Sequence, residues 1–171
     1  MNNGIFRSFL EQNCKQGLAL ARDSDVLDLT PIDDPPRRYL ARYRCRGLIR
    51  DRGGAIVETD GEFHVGIWFH DGYLDAVSVP RLLTWLAPFS IFHSNIRPPL
   101  ICLHITPGTD LISILHKCYE LIAWQTHRTD DGLDGEACQW ARNHLDRLPI
   151  DPRPLKRRPV DTTGQEKPKD S

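Results

Sequence analysis

A helical period, a long period-two stretch and a second helical period follow one another along this chain. They predict an α+β fold: an N-terminal helix, a four-stranded antiparallel meander, an active-site loop, a central helix and a C-terminal helix. Three observations carry this expectation. Phe6, Leu10, Cys14, Gly17 and Ala21 recur at three- and four-residue steps. Tyr39, Ala41, Tyr43, Cys45 and Gly47 alternate with Leu40, Arg42, Arg44, Arg46 and Leu48. Leu111, Ile114, Leu115, Cys118, Leu121, Ile122 and Trp124 make a helix apolar over most of its surface, and such a helix belongs at the centre.

With 171 residues, 40 % of them hydrophobic and 26 % charged, the chain can bury one proper core and is too short for two ordinary domains. A net charge of −1 gives no global electrostatic case for nucleic acid. No apolar run approaches the roughly 18 residues of a membrane span, and Met1-Asn2-Asn3-Gly4 opens no basic-then-apolar leader, so no membrane partner and a cytoplasmic location are expected. Five cysteines without a paired framework read as reduced thiols.

In order, the first helix is expected over residues 5–22, with Arg7, Glu11 and Lys15 on a polar face. Residues 23–38 hold five aspartates, Pro31 and Pro35-Pro36, a composition that reads as an irregular connection. Strands follow over 39–48, 55–59 and 62–70, the last two joined by a tight turn at Asp60-Gly61, and a fourth over 81–86. The row Arg42, Arg44 and Arg46 falls on the face away from the core. Thr109 or Asp110 caps the central helix, and Thr129-Asp130-Asp131-Gly132 ends it. Ala137, Cys138, Ala141, Leu145 and Leu148 trace the last helix. The domain is expected to span 1–150, and the Pro-, Lys- and Arg-rich 151–171 to be a disordered tail.

This layout separates the cysteines. Cys14, Cys118 and Cys138 lie on apolar helix faces and Cys45 on the inward face of a strand, where small thiols are ordinary core residues. Cys102 alone lies in a loop, stiffened by Pro98-Pro99 and anchored by Ile101, Leu103 and Ile105, so it is the candidate nucleophile. His93 and Asn95, only two apart, are poorly spaced to bracket it as the base and orienter of a peptidase. His93, Cys102 and His104, with His64 or His70, lack metal-ligand spacing, so no metal is expected.

The run His93-Ser94-Asn95-Ile96, the following Ile101-Cys102-Leu103-His104-Ile105, and Asp130-Asp131-Gly132-Leu133 with Glu136-Ala137 resemble the ubiquitin-conjugating enzyme family over residues 79–148. The resemblance implies a UBC-like fold and a cysteine, Cys102, that accepts a ubiquitin-like modifier from an activating enzyme as a thioester. The modifier would then pass to an amine, a lysine of a target protein. Sulfur suits the task because a thiolate is both a strong nucleophile and a good leaving group. On the same resemblance Asn95 stabilises the oxyanion, His93 holds the loop, and Asp131 or else Asp130 orients the incoming lysine. Arg7 and Lys15 on the first helix would help dock the activating enzyme, and the arginine row would be either a wet sheet face or a back-side docking patch. No cofactor is implied. The chain departs from the pattern in Ser94 for proline, a loop one residue short, no tryptophan after the cysteine and a single clear helix after the aspartate loop. In these it resembles compact bacterial conjugating enzymes that act with an activating enzyme, a modifier and often a deubiquitinating metalloprotease in antiviral defence. The alternative is a non-catalytic relative that binds a ubiquitin-like protein as an adaptor.

Overall fold

Alternation of side chains reaches further along the chain than the sequence suggests. In the structure, a computed structural model that describes residues 3–159, two strands of 13 residues, β2 (Arg38–Arg50) and β3 (Ile56–Trp68), pair along their whole length. Asp60 and Gly61 therefore do not form the expected turn. They sit in mid-strand, opposite Arg46 and Cys45. The reversal lies at 51–55, where Asp51 Oδ1 accepts the N–H groups of Gly53 and Ala55 and Gly54 takes φ 82°. A side chain that bonds the backbone two residues on mimics a turn, and a glycine supplies the left-handed position.

The first strand of the sheet is β1 (Leu27–Pro31), in the stretch expected to be irregular. Leu27 and Leu29 are buried while Asp28 lies on the outer face, ion-paired with Arg44 and 3.9 Å from Arg42. The aspartate that looked like a strand breaker instead offsets the arginine row. The fourth strand is β4 (Leu83–Ala87), and the first two residues of its expected span belong to a helical turn, α2 (Val79–Leu82), with Pro80 in its first turn, where a missing N–H costs nothing. The sheet order is β1-β2-β3-β4, antiparallel throughout.

Helices α1 (Asn3–Arg22) and α3 (Leu111–Ile122) cover one face, over the buried Tyr39, Ala41, Tyr43 and Cys45. The Tyr43 hydroxyl donates to Leu115 O at 3.0 Å, tying sheet to helix. The central helix starts as expected, with Asp110 accepting from Ser113 N at 2.7 Å. Its Leu111, Ile114, Leu115, Leu121 and Ile122 are all buried. Truncating any such side chain to alanine costs about 2–5 kcal/mol. On α1 the inward face includes a polar residue: Asn13 Oδ1 accepts the Leu111 N–H at 2.6 Å, satisfying a free donor at the start of α3.

A second, smaller cluster gathers Leu48, Phe92, Trp124, Ala137 and Ala141 on the far side of β2. It corrects the outward placement of Leu48, which is buried because α4 (Gly135–Asn143) covers it. Arg50 closes the cluster, its guanidinium 2.6 Å from Glu136 and over the Phe92 ring. After α4 comes a short 3-10 turn, Leu145–Arg147, with Leu145 exposed rather than on a buried helical stripe.

The packed part of the chain continues past residue 150. Asp151 is buried, accepts the Arg46 N–H at 3.2 Å and is paired with Arg153 at 2.7 Å, and Leu155 joins the main core. Arg157 N donates to Asp23 O. The stretch 151–159, expected as tail, is thus fastened across the domain, and the rest of the expected tail lies outside the described residues. No helix among the described residues is long and apolar enough to cross a membrane.

Candidate active site

The segment between β4 and α3 is a small two-stranded ribbon rather than a wholly irregular loop. Strands β5 (Ile96–Arg97) and β6 (Leu100–Ile101) pair antiparallel with Pro98-Pro99 as the turn, which suits residues that lack an N–H. Trp85 N donates to Pro99 O, hitching the ribbon to β4. One further rung carries the site: Cys102 N donates to Asn95 O at 2.8 Å. Asn95 and Cys102 are thereby locked side by side. Buried Ile101 and Ile105 anchor the chain on either side of the partly exposed cysteine.

Both residues line an open groove of about 430 Å³, together with Leu103, His104, Leu121, Thr126, His127 and Arg128. Asn95 is almost wholly buried. Its Oδ1 accepts from Ser94 Oγ at 2.9 Å and from the backbone N–H of Arg128 at 2.8 Å. Because a backbone N–H only donates, the facing atom must be the oxygen, and the other end of the amide is an NH2 donor. Among the described residues that NH2 group donates no hydrogen bond. A donor beside a nucleophile, in a partly dried groove, is the arrangement that stabilises an oxyanion.

His93 lies beneath the groove, fully buried. Its Nε2 donates to Leu121 O at 2.7 Å and its Nδ1 accepts from Asn95 N at 3.0 Å, which fixes the neutral tautomer. With both ring nitrogens engaged it holds the loop against α3 and has no free atom for proton transfer or metal binding. Burial pushes its pKa down from 6.5 to about 3. Between those values the unfolded chain takes up a proton at this position and the folded chain does not, so stability present above the unfolded value is lost as pH falls. The urea midpoint should therefore drop between pH 7 and about 4.5, before most carboxylates protonate, and His93→Gln should flatten that slope. An unchanged midpoint across this range in the parent protein would mean that His93 is not held neutral.

The far wall is the loop after α3. Trp124 adopts φ 59°, a left-handed backbone that is strained for a bulky residue. Gln125 N and Thr126 N both donate to Glu120 O, as at a helix end of this kind. Glycine would fit the backbone better, but the indole fills the small cluster and lies 4.1 Å from the His93 ring. The turn aims 126–128 into the groove. Further on, Gly132 runs against Ser94: a Cβ there would lie 2.3 Å from Ser94 O and 2.4 Å from Cys138 Sγ. Asp134 N donates to Ser94 O, and the Asp134 carboxylate caps α4.

The expected acidic residues do not line the groove. Asp131 is exposed and faces Arg128 at 3.5 Å, and Asp130 is exposed 3.9 Å from Arg142. Thr126, His127 and Arg128 occupy the wall assigned to them in the sequence reading. Arg7 and Lys15 are exposed on α1, away from the groove lining, with Arg7 paired to Glu11 at 2.9 Å. Cys45 and Cys118 are buried, and burial pushes both thiols up to about 12. No family model matches the chain, and no curated protein is similar enough to match it.

Proposed function

We propose that this chain is a ubiquitin-conjugating-type carrier with a UBC-like fold. It would take a ubiquitin-like modifier from an activating enzyme as a thioester on Cys102 and pass it to an amine, a lysine of a target protein. The observation that carries the reading is the backbone rung between Asn95 and Cys102, which sets an NH2 donor without a described partner beside an accessible thiol in one groove. The order of elements also fits: a helix, a four-stranded meander, the Asn-Cys segment and a central helix.

In loading, the Cys102 thiolate attacks the carbonyl carbon of the incoming thioester, and the donor cysteine leaves as a thiolate. Exchange between thiols is nearly balanced in energy and needs no resident base. In transfer, the amine attacks the same carbonyl carbon, negative charge grows on its oxygen, and the C–S bond breaks toward Cys102. Asn95 Nδ2 is the group suited to that oxygen. Arg7 and Lys15 offer cationic groups on α1 for the activating enzyme, and the setting of the reaction is bacterial antiviral defence.

Incubating the protein with candidate activating enzymes, modifiers and ATP should give an adduct on a non-reducing gel that thiol reductants remove. Binding of modifier without such an adduct, under conditions where the activating enzyme is itself charged, would favour the adaptor reading.

A further inference from the structure

The carrier reading leaves the proton of the acceptor amine unassigned. An amine that attacks a thioester becomes positively charged and must lose a proton before a stable amide forms. A carboxylate could hold the incoming ammonium, but none lines the groove among the described residues: Asp131 is exposed and faces Arg128 at its rim, and Asp130 faces Arg142. The titratable side chains that do line it with Cys102 are His104 and His127.

We propose that His127 is the proton acceptor for the incoming amine. This rests on the carrier reading of Cys102. Three features distinguish His127 from His104. The next residue, Arg128, donates its N–H to Asn95 Oδ1, so the backbone carrying His127 is fastened to the asparagine beside the cysteine. The imidazole packs on Trp124, centroids 5.7 Å apart, on the turn that aims the loop. Its Nδ1 is buried with no hydrogen-bond partner among the described residues, so no described group commits the ring to one tautomer. His104, by contrast, is exposed on the opposite lip.

The charges around the ring suit the role. Sharing the groove with it are Cys102, His104 and Arg128, the last of these 3.5 Å from Asp131, with neutral His93 below; among the described residues the lining from α3 is Leu121. Cationic Arg128 disfavours a bound ammonium relative to the free amine, and the imidazole then removes the proton that attack makes acidic. The amine nitrogen forms the bond to carbon, His127 takes one proton from it, and the C–S bonding pair returns to Cys102 as thiolate. The imidazolium then gives its proton to that thiolate or to water. The products are an amide and a free thiol.

The test is single-turnover discharge of preloaded protein to free lysine from pH 6 to pH 9. His127→Gln should load like the parent, discharge to lysine about 100-fold more slowly, and still discharge to a small thiol at the parent rate, since a thiolate has no proton to lose. In the parent, the logarithm of the lysine rate should rise with pH as the amine loses its proton. His127→Gln should stay slow across that range, and added imidazole should restore discharge in His127→Ala. Normal lysine discharge by His127→Gln, or slow discharge with no imidazole rescue of His127→Ala, overturns the assignment and leaves the carrier reading standing. Absence of any thioester on parent Cys102 overturns the carrier reading, and this assignment with it.

Discussion

Cys102→Ala is expected to abolish the thiol-sensitive adduct completely, whereas alanine at Cys14, Cys45, Cys118 or Cys138 leaves it in place. The difference is physical. The thiolate is the nucleophile, and burial pushes the Cys45 and Cys118 thiols up to about 12, so almost none is ionised near neutrality. Cys138 is buried on the inner face of α4 with its sulfur 3.7 Å from Ser94 O. Cys14 is partly exposed, but it sits on α1 and not on the Asn95 groove. Cys102→Ser offers a sharper variant, because a hydroxyl attacks poorly and any ester it formed would resist thiols. Intact-protein mass after incubation with activating enzyme, modifier and ATP reads all six variants. An adduct of undiminished size on Cys102→Ala, removed by thiol, would move the site elsewhere.

The choice of Cys102 was legible because its neighbours are local. Prolines 98 and 99, the flanking Ile101 and Ile105, and Asn95 seven residues earlier lie in one short segment, and one backbone rung joins the two functional residues. The opposite wall was not legible. Position in a motif points to Asp131 or else Asp130 for that wall, yet the turn that shapes it lies upstream, where Trp124 turns left-handed at the end of α3. Nothing in the local preference of tryptophan indicates that turn; it follows from the space for an indole between Phe92, Ala137 and Ala141, which exists only once α4 has folded back. The residues that line the groove on this side, Thr126, His127 and Arg128, come soon after the helix ends.

In the sheet, the errors came from local signals overruled by long-range pairing. Asp60-Gly61 is a good turn sequence, but the better one, Asp51-Arg52-Gly53-Gly54, lies where β2 and β3 end together in full register. Gly61 is small for another reason: a Cβ there would lie 3.1 Å from the Phe63 ring. Likewise Leu27 and Leu29 alternate with Asp28 and Thr30, a strand period hidden by aspartates, of which Asp28 is explained only by the arginines across the sheet.

Asn95→Asp is expected to lower discharge to lysine by about 100- to 1,000-fold while loading on Cys102 remains close to the parent rate. The residue has two jobs, and the structure lets them be separated. Oδ1 accepts from Ser94 Oγ and Arg128 N, holding the His127 wall in place, and the NH2 group supplies the donor. Aspartate keeps an oxygen for the first job and replaces the donor with a second oxygen, which repels the charge that grows on the thioester carbonyl as the amine attacks. Loading begins from a thiolate and expels another, so it draws less on that donor. Alanine removes both functions. The Arg128 N–H is then left without its partner, at a cost of about 1–3 kcal/mol, and the wall carrying His127 loosens. Asn95→Ala should therefore lose loading as well as discharge, and its urea midpoint should fall. Single-turnover loading and discharge, measured beside urea unfolding for both variants, separate the two roles. Discharge at the parent rate by a folded Asn95→Asp would leave the asparagine a scaffold only, and the oxyanion donor would have to be sought among the backbone N–H groups around Cys102.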